Sequence, residues 1–212
     1  MPIVRRWNVF DECDILIWEI TEHREELQKG LVANPEEWEE YQTISHPQKQ
    51  LEWLNGRRAM QSLIESKDWK YEGMIKDEYG KPYLKNKIAE ISLTHTAHYI
   101  VVATHPNSSI GIDLERVAPK LARVAPKFLS DSEIHYAGDD LKRLCTYWCA
   151  KEAIYKLHGT RQLSFKEEIP INDFSDDAVF LTGCIHHLHS PKQQSHQLHR
   201  FEIDDFLGIV AV

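Results

Sequence analysis

The alternation of apolar and polar positions predicts strands and helices along the whole chain. Short apolar runs within residues 3–20 predict strands, and residues 21–29 have helical character. Asn34-Pro35 opens an acidic helix, and a capping box at Ser45-His46-Pro47-Gln48 opens a longer helix that ends near residue 66. The longer helix should bury the apolar residues that recur every three or four positions, namely Leu51, Leu54, Ala59, Leu63 and Ile64.

Turn-forming residues divide the rest of this first half and mark its end. The Gly and Pro of residues 79–83 predict a turn, and the apolar runs at 89–93 and 99–103 predict two strands. Pro106-Asn107-Ser108-Ser109 then breaks the chain. We therefore expect an N-terminal half over residues 1–106 and a C-terminal half over residues 107–212.

The second half again places helices before paired strands. Residues 110–115 alternate apolar and acidic positions and predict a strand, and Ser130 with Glu133 forms a second capping box. A helix should run from about Asp140 to His158, with Gly159 as its C-terminal stop.

The tail should form strands at 178–185 and 201–212 around a polar loop at 189–199. Because each half combines helices with paired strands, the pattern predicts an α+β fold.

Composition and charge narrow the class of protein. The 212 residues are 42% hydrophobic and 27% charged, which excludes a disordered chain, and the net charge of −8 argues against a nucleic acid partner. The first residues lack the long apolar stretch of a signal peptide, and no apolar run approaches the ~20 residues that span a bilayer. The four cysteines form no C-x-x-C pair and suit small core positions. We expect a cytoplasmic protein with no membrane partner.

Two acidic clusters are candidates for chemistry. Asp113 and Glu115 lie two positions apart in a predicted strand, so both carboxylates project from one face. They either form a solvated polar face or share a cation. Glu152 should lie in the middle of the apolar stripe of its helix, with Lys156 one turn further on. A carboxylate on a buried face is costly unless it is paired or bound to a metal, but an ordinary surface Glu–Lys pair is the alternative.

Taken together, these side chains suggest metal-assisted chemistry on a phosphate compound. Three oxygen ligands suit Mg²⁺, which usually completes its coordination with water and substrate phosphate oxygens. His95, among small hydroxyl residues at a strand end, could bind an anion or be a structural turn residue. Three basic side chains could contact phosphate or could instead be solvated surface charges, namely Arg57, Arg58 and Lys81.

Four motifs in order make the chain similar to a known family, the 4′-phosphopantetheinyl transferases. The paired signature is Gly111-Ile112-Asp113-Leu114-Glu115 followed by Trp148-Cys149-Ala150-Lys151-Glu152-Ala153-Ile154-Tyr155-Lys156. Two further motifs precede it, Tyr79-Gly80-Lys81-Pro82 and Ser92-Leu93-Thr94-His95-Thr96. The match runs from about Leu51 to Lys166, and the size resembles the surfactin-synthetase type, a monomer of two similar halves.

The resemblance implies a fold and an activity. The fold would be a pseudo-dimeric monomer of two similar α/β halves. The enzyme would transfer 4′-phosphopantetheine from coenzyme A to a serine of an apo acyl or peptidyl carrier protein, releasing adenosine 3′,5′-bisphosphate. Asp113, Glu115 and Glu152 would hold Mg²⁺, with Mn²⁺ also open. Glu152 would be the base, directly or through water, and Lys156 would contact the pyrophosphate, while coenzyme A phosphates would contact Arg58, Lys81 and His95.

Two departures from the family pattern limit these assignments. Threonines replace the usual serines around His95, and the segment before the long helix, where some relatives carry lysines, is acidic. Three other functions remain open: a non-catalytic carrier-protein or coenzyme A-binding module, a metal-dependent phosphodiesterase, and a zinc protein. The zinc hypothesis lacks standard ligand spacing and rests on His186, His187, His189, His196 and His199.

Overall fold

A computed structural model describes residues 2–159, 163–187 and 193–212. The chain divides into two compact units, Met1–Ser109 and Ile110–Val212. Each unit combines helices with antiparallel strands, so the predicted mixture of α and β structure is confirmed. None of the helices in the described ranges is long and apolar enough to cross a membrane.

The elements of the first unit are β1 (Ile3–Val9), β2 (Cys13–Glu19), α1 (Arg24–Gln28), α2 (Pro35–Thr43), α3 (Pro47–Glu65), β3 (Met74–Lys76), β4 (Pro82–Leu84), β5 (Glu90–His95) and β6 (Tyr99–His105). They include a four-stranded sheet with the order β1-β2-β6-β5 and a separate hairpin of β3 and β4. All neighbouring strands are antiparallel.

Helix α3 supplies most of the helical side of the first core. Apolar side chains recur at helical spacing along α3. They pack against β2 and β6, because this contact removes the apolar face of the helix and that of the sheet from water together. Leu54, Leu63 and Ile64 are fully buried there with Leu16 and Val102.

Local capping explains where the helices of this unit begin. Asn34 caps α2 as predicted, since its side chain accepts a hydrogen bond from the Glu37 N–H. The Glu37 carboxylate in turn accepts one from the Asn34 N–H. The predicted cap of α3 at Ser45 is wrong by one residue. His46 is the cap, and its Nδ1 accepts from the Gln48 N–H at 3.2 Å.

The elements of the second unit are β7 (Gly111–Arg116), α4 (Lys120–Phe128), α5 (Asp131–Ala137), α6 (Leu141–His158), α7 (Phe165–Glu168), β8 (Phe180–His186), β9 (Gln193–Ile203) and β10 (Phe206–Ala211). The four strands form an antiparallel sheet with the order β7-β10-β9-β8. Ser130 caps α5, and Gly159 ends α6 in the left-handed conformation, both as predicted.

The polar segment before β10 is where the tail differs from the prediction. Residues 193–199 of the expected loop belong to β9, whereas residues 189–192 lie outside the described ranges. An antiparallel strand needs apolar side chains only on its core face. His196 and Leu198 are buried on that face, so the exposed polar residues Ser195 and Gln197 on the opposite face do not prevent a strand.

In the core of the second unit, β7 and α6 approach each other closely at Gly111. A Cβ on Gly111 would lie 1.8 Å from the Ala153 carbonyl oxygen and 2.6 Å from the Leu157 nitrogen. Only glycine permits this contact, which brings the strand backbone against the last turns of α6. Side chains two and four positions after Gly111 in β7, those of Asp113 and Glu115, therefore face the same helix.

Candidate active site

The strand register places two carboxylates on the core-facing side of β7. Asp113 pairs with Ile209 of β10, and Glu115 pairs with Leu207. Both apolar partners belong to the core that α6 covers. Because paired residues share a face of the sheet, Asp113 and Glu115 face α6 as well.

Asp113 and Lys156 join the strand to the helix. The Lys156 Nζ lies 2.7 Å from Asp113 Oδ1 and donates a second bond to the Ile112 carbonyl at 3.0 Å. Asp113 is buried, whereas the Lys156 side chain is 29% exposed. The ammonium is thus held beside a buried carboxylate, on a side chain that remains partly exposed.

Glu152 lies close enough to both strand carboxylates to sense their charge. The pKa of Glu152 is raised to about 7, first by burial and then by the charges of Asp113 and Glu115, while the charge of Lys156 lowers it. The two elements therefore gather negative charge at one place.

The prediction that Glu152 lies in the middle of the buried stripe is wrong. Glu152 is partly exposed, as are its neighbours on that side, Trp148, Tyr155 and Lys156. The fully buried positions of α6 lie further round the helix because α4 and the 165–171 segment also pack on it. Glu152 consequently lies at the margin, where a ligand can reach it.

Glu115 is partly exposed, with 26% of its side chain accessible to solvent. Its Oε1 accepts from the Lys120 Nζ at 3.0 Å and from the Arg116 N–H at 2.9 Å. Both partners follow it closely in the chain, so the carboxylate is oriented by local contacts.

Oxygen donors of this kind suit a hard divalent cation such as Mg²⁺. The observation that favours one is electrostatic, because Asp113 and Glu115 both act against ionisation of Glu152 and a cation would relieve that repulsion. Within the described ranges, no group of three or more His, Cys, Asp or Glu side chains is already arranged as a metal cage. A bound metal would share the Asp113 carboxylate with Lys156, whose Nζ contacts Oδ1.

Lys151 is a residue that the sequence reasoning did not single out. It is fully buried, and its Nζ lies 2.9 Å from Glu133 Oε2. The same nitrogen donates to the carbonyls of Phe165 and Ile169 at 2.8 Å each. These bonds satisfy the buried charge and tie α6 to the segment around α7. The sequence signal that could have identified it is a lysine directly before Glu152, on the buried side of the helix.

The predicted phosphate-contacting residues belong to the first unit. Arg58 is partly exposed on α3, and its Nη1 donates to the Gly30 carbonyl at 3.3 Å. His95 ends β5 with 45% of its side chain exposed, and its Nε2 lies 3.1 Å from Glu52 Oε2. Lys81 lies in the turn between β3 and β4, with its Nζ 5.8 Å from the centre of the Tyr83 ring.

Arg57 is neither a solvated charge nor an open phosphate ligand. Its guanidinium donates to Glu37 at 2.8 Å and to Glu40 at 2.9 Å. It also lies 3.3 Å from the centre of the Trp53 ring. The acidic helix α2 therefore neutralises a buried arginine of α3, which gives the acidic segment a structural role.

The histidines of the tail make separate contacts. Cys184 Sγ lies 3.3 Å from His186 Nε2, and the His187 ring packs on His158 with centroids 5.4 Å apart. His196 Nδ1 lies 3.3 Å from the Val212 carbonyl, and the His199 ring meets Phe180. The remaining member of the zinc hypothesis, His189, lies outside the described residues.

Two comparisons show which known proteins the chain resembles. Residues 109–208 match a family model described as the 4′-phosphopantetheinyl transferase superfamily. A curated relative, the 4′-phosphopantetheinyl transferase gsp of Aneurinibacillus migulanus, is 28% identical over 104 residues. The alignment covers 47% of this chain and 41% of the relative, so the chain spans less than half the length of that protein. The resemblance found from the motifs is thereby confirmed over the residues that carry Asp113, Glu115, Glu152 and Lys156.

Proposed function

We propose that this chain is a 4′-phosphopantetheinyl transferase that modifies a serine of an apo carrier protein with the 4′-phosphopantetheine of coenzyme A. The observation that carries the proposal is the meeting of Asp113 and Glu115 on β7 with Glu152 and Lys156 on α6. All four residues lie inside the segment that matches the transferase family.

The carboxylates would hold the metal, with Mg²⁺ as the expected ion and Mn²⁺ also open. Asp113, Glu115 and Glu152 would be the protein ligands. When bound, such an ion neutralises charge on the coenzyme A pyrophosphate. Because Asp113 already contacts Lys156, the metal and the ammonium would be neighbours around the same phosphates.

The transfer moves one phosphoryl group between two oxygens. The serine Oγ of the carrier would attack the phosphorus that bears pantetheine, forming a P–O bond. The bond from that phosphorus to the bridging oxygen would break, and adenosine 3′,5′-bisphosphate would leave. Glu152 would take the serine proton, directly or through water, since it lies at the accessible margin of α6.

Lys156 would act on the leaving phosphate. Its Nζ has one side fixed by Asp113 and the Ile112 carbonyl, and the side chain remains 29% exposed. A fixed positive charge stabilises charge that develops in the transition state without reorganising during the reaction.

Arg58, Lys81 and His95 would contact the phosphates of coenzyme A. Each carries a donor on a partly exposed or exposed side chain, which anion binding requires. The acidic helix α2 would contribute structure rather than phosphate contacts, because Glu37 and Glu40 neutralise Arg57.

We further propose a pseudo-dimeric monomer of two similar halves, residues 1–106 and 107–212, acting in the cytoplasm.

Intact mass spectrometry of an apo carrier protein tests the activity. The carrier should gain one phosphopantetheine after incubation with this protein, coenzyme A and Mg²⁺, and a chelator should prevent the gain. Asp113→Ala is the inactive control, and apo carriers of fatty-acid, polyketide and peptide synthesis should all be tried. If each stays unmodified while coenzyme A is hydrolysed, the protein is a phosphodiesterase. If coenzyme A binds and no product forms, it is a binding module.

A further inference from the structure

The turn that carries Lys81 is organised by one carboxylate. Oδ1 of Asp77 accepts from the backbone N–H groups of Tyr79 and Lys81, both at 2.9 Å. The backbone of the same residue donates to the Lys81 carbonyl at 3.1 Å and accepts from Gly80 at 3.0 Å. Gly80 has a φ of 89°, which glycine adopts without steric cost. The loop from Asp77 to Lys81 is thus closed by its first residue.

The second oxygen of Asp77 reaches the side chain beneath Lys81. Tyr83 donates its hydroxyl to Asp77 Oδ2 at 3.3 Å. The Lys81 Nζ lies 5.8 Å from the centre of the same Tyr83 ring, within the range of a cation–π contact. Asp77 therefore fixes both the backbone of Lys81 and the ring against which its ammonium rests.

The surroundings of Lys81 differ from those of an ordinary surface lysine. Burial lowers its pKa, although the charges of Glu90 and Asp77 oppose that effect. A partly desolvated ammonium on a closed turn has fewer conformations to lose when it meets an anion. A lysine on an open loop would have to be ordered by the ligand itself.

We propose that Asp77 is a positioning residue for Lys81, and that it sets the affinity for coenzyme A through the turn and through Tyr83. This inference rests on the proposed function, in which Lys81 contacts a coenzyme A phosphate. It adds a residue outside the set that the proposed function assigns to the metal and to the transferred phosphate. Removing it should weaken coenzyme A binding and leave the chemical step nearly unchanged.

The test compares Asp77→Ala, Asp77→Asn, Lys81→Ala and the double variant Asp77→Ala/Lys81→Ala. Both the KM for coenzyme A and its Kd, measured by calorimetry without carrier protein, are recorded. Glu78→Ala is the matched control, because it removes one negative charge from an exposed side chain of the same turn. Hydrogen exchange at the Tyr79 and Lys81 amides reports the state of the turn.

Asp77→Ala should raise KM and Kd by about tenfold, a binding change that leaves kcat within about twofold. Asp77→Asn should restore most of the affinity, since the amide oxygen can accept the same two N–H bonds. The double variant should bind no worse than Lys81→Ala, because the two residues act as one unit. Exchange at the two amides should quicken only in the two variants that carry Asp77→Ala.

Three results would overturn the inference. They are equal effects of Asp77→Ala and Glu78→Ala, additive losses in the double variant, and unchanged affinity in Lys81→Ala. Failure of the proposed function is distinguishable, because it would appear as an unmodified carrier whatever the Kd values. A carrier that stays unmodified while the calorimetric pattern holds would leave the positioning role supported and refute only the transferase.

Discussion

The ammonium of Lys156 pairs with Asp113 of the facing strand, at 2.7 Å, and this contact links the two acidic motifs of the chain. The sequence alternative was a surface pair between Lys156 and Glu152, one turn away on the same helix. In the structure the lysine crosses to β7 and also binds the Ile112 carbonyl. The contact joins residues 43 positions apart, so it fixes the strand and the helix as one site.

Replacing Lys156 tests its role in the transfer. Lys156→Ala should lower turnover by roughly 100-fold, the scale for losing one contact to transition-state charge. Lys156→Arg should restore activity only in part, because a planar guanidinium does not replace a compact ammonium. Steady-state kinetics with varied coenzyme A measure both effects. Unchanged turnover in the alanine variant would leave this lysine with only its structural contact to Asp113.

Glu152 should make stability depend on pH when divalent metal is chelated. Its pKa in the folded protein is about 7, above the ordinary value of 4.5. The protonated form is therefore favoured by folding, and that stabilisation is present below pH 4.5 and lost as the pH rises through 7. At pH 8 in chelator, Glu152→Gln should unfold at a higher temperature than the natural protein.

Thermal melts of both proteins from pH 5 to pH 8 check this expectation. The difference in melting temperature should grow with pH, and Mg²⁺ should reduce it by stabilising the natural protein. Glu167→Gln, at an exposed position, is the control and should show no such trend. A constant difference across the pH range would mean that the pKa of Glu152 is not raised in the folded protein.

His196 should destabilise the protein in mild acid. Burial lowers its pKa below the ordinary value of 6.5, against the smaller opposite effect of its bond to the Val212 carbonyl. A lowered pKa in the folded state means that the unfolded chain takes up the proton first, so stability falls as the pH drops below 6.5. His196→Gln should lose less stability between pH 7 and pH 5 in urea titrations. Equal losses in both proteins would contradict the assignment.

The adjacent arginines of α3 should respond in opposite ways. Arg57→Ala should cost about 3–5 kcal/mol of unfolding free energy, because it leaves Glu37 buried without its partner. Arg58→Ala should leave stability within about 0.5 kcal/mol, as at most exposed sites, and raise the KM for coenzyme A. Urea denaturation and kinetics on the two variants separate these effects. A large stability loss in Arg58→Ala would make it a structural residue too.

Local signals in the sequence determined much of the fold. The caps at Asn34 and Ser130 and the stop at Gly159 need only bonds within a few residues, so they can be read without the rest of the chain. The spacing of Asp113 with Glu115 and of Glu152 with Lys156 likewise follows from the geometry of one strand and one helix. These patterns sufficed to identify the residues that carry the proposed chemistry.

Packing between distant segments decided the rest. Periodicity shows that a helix has an apolar face, but α4 and the 165–171 segment determine how far that face extends, and they leave Glu152 at its margin and Lys151 inside. The same holds for Arg57, whose partners Glu37 and Glu40 come from another helix. The polar run of β9 became a strand because β8 and β10 pair with it on either side. Such contacts depend on the positions of residues far apart in the chain, which no short window of sequence contains.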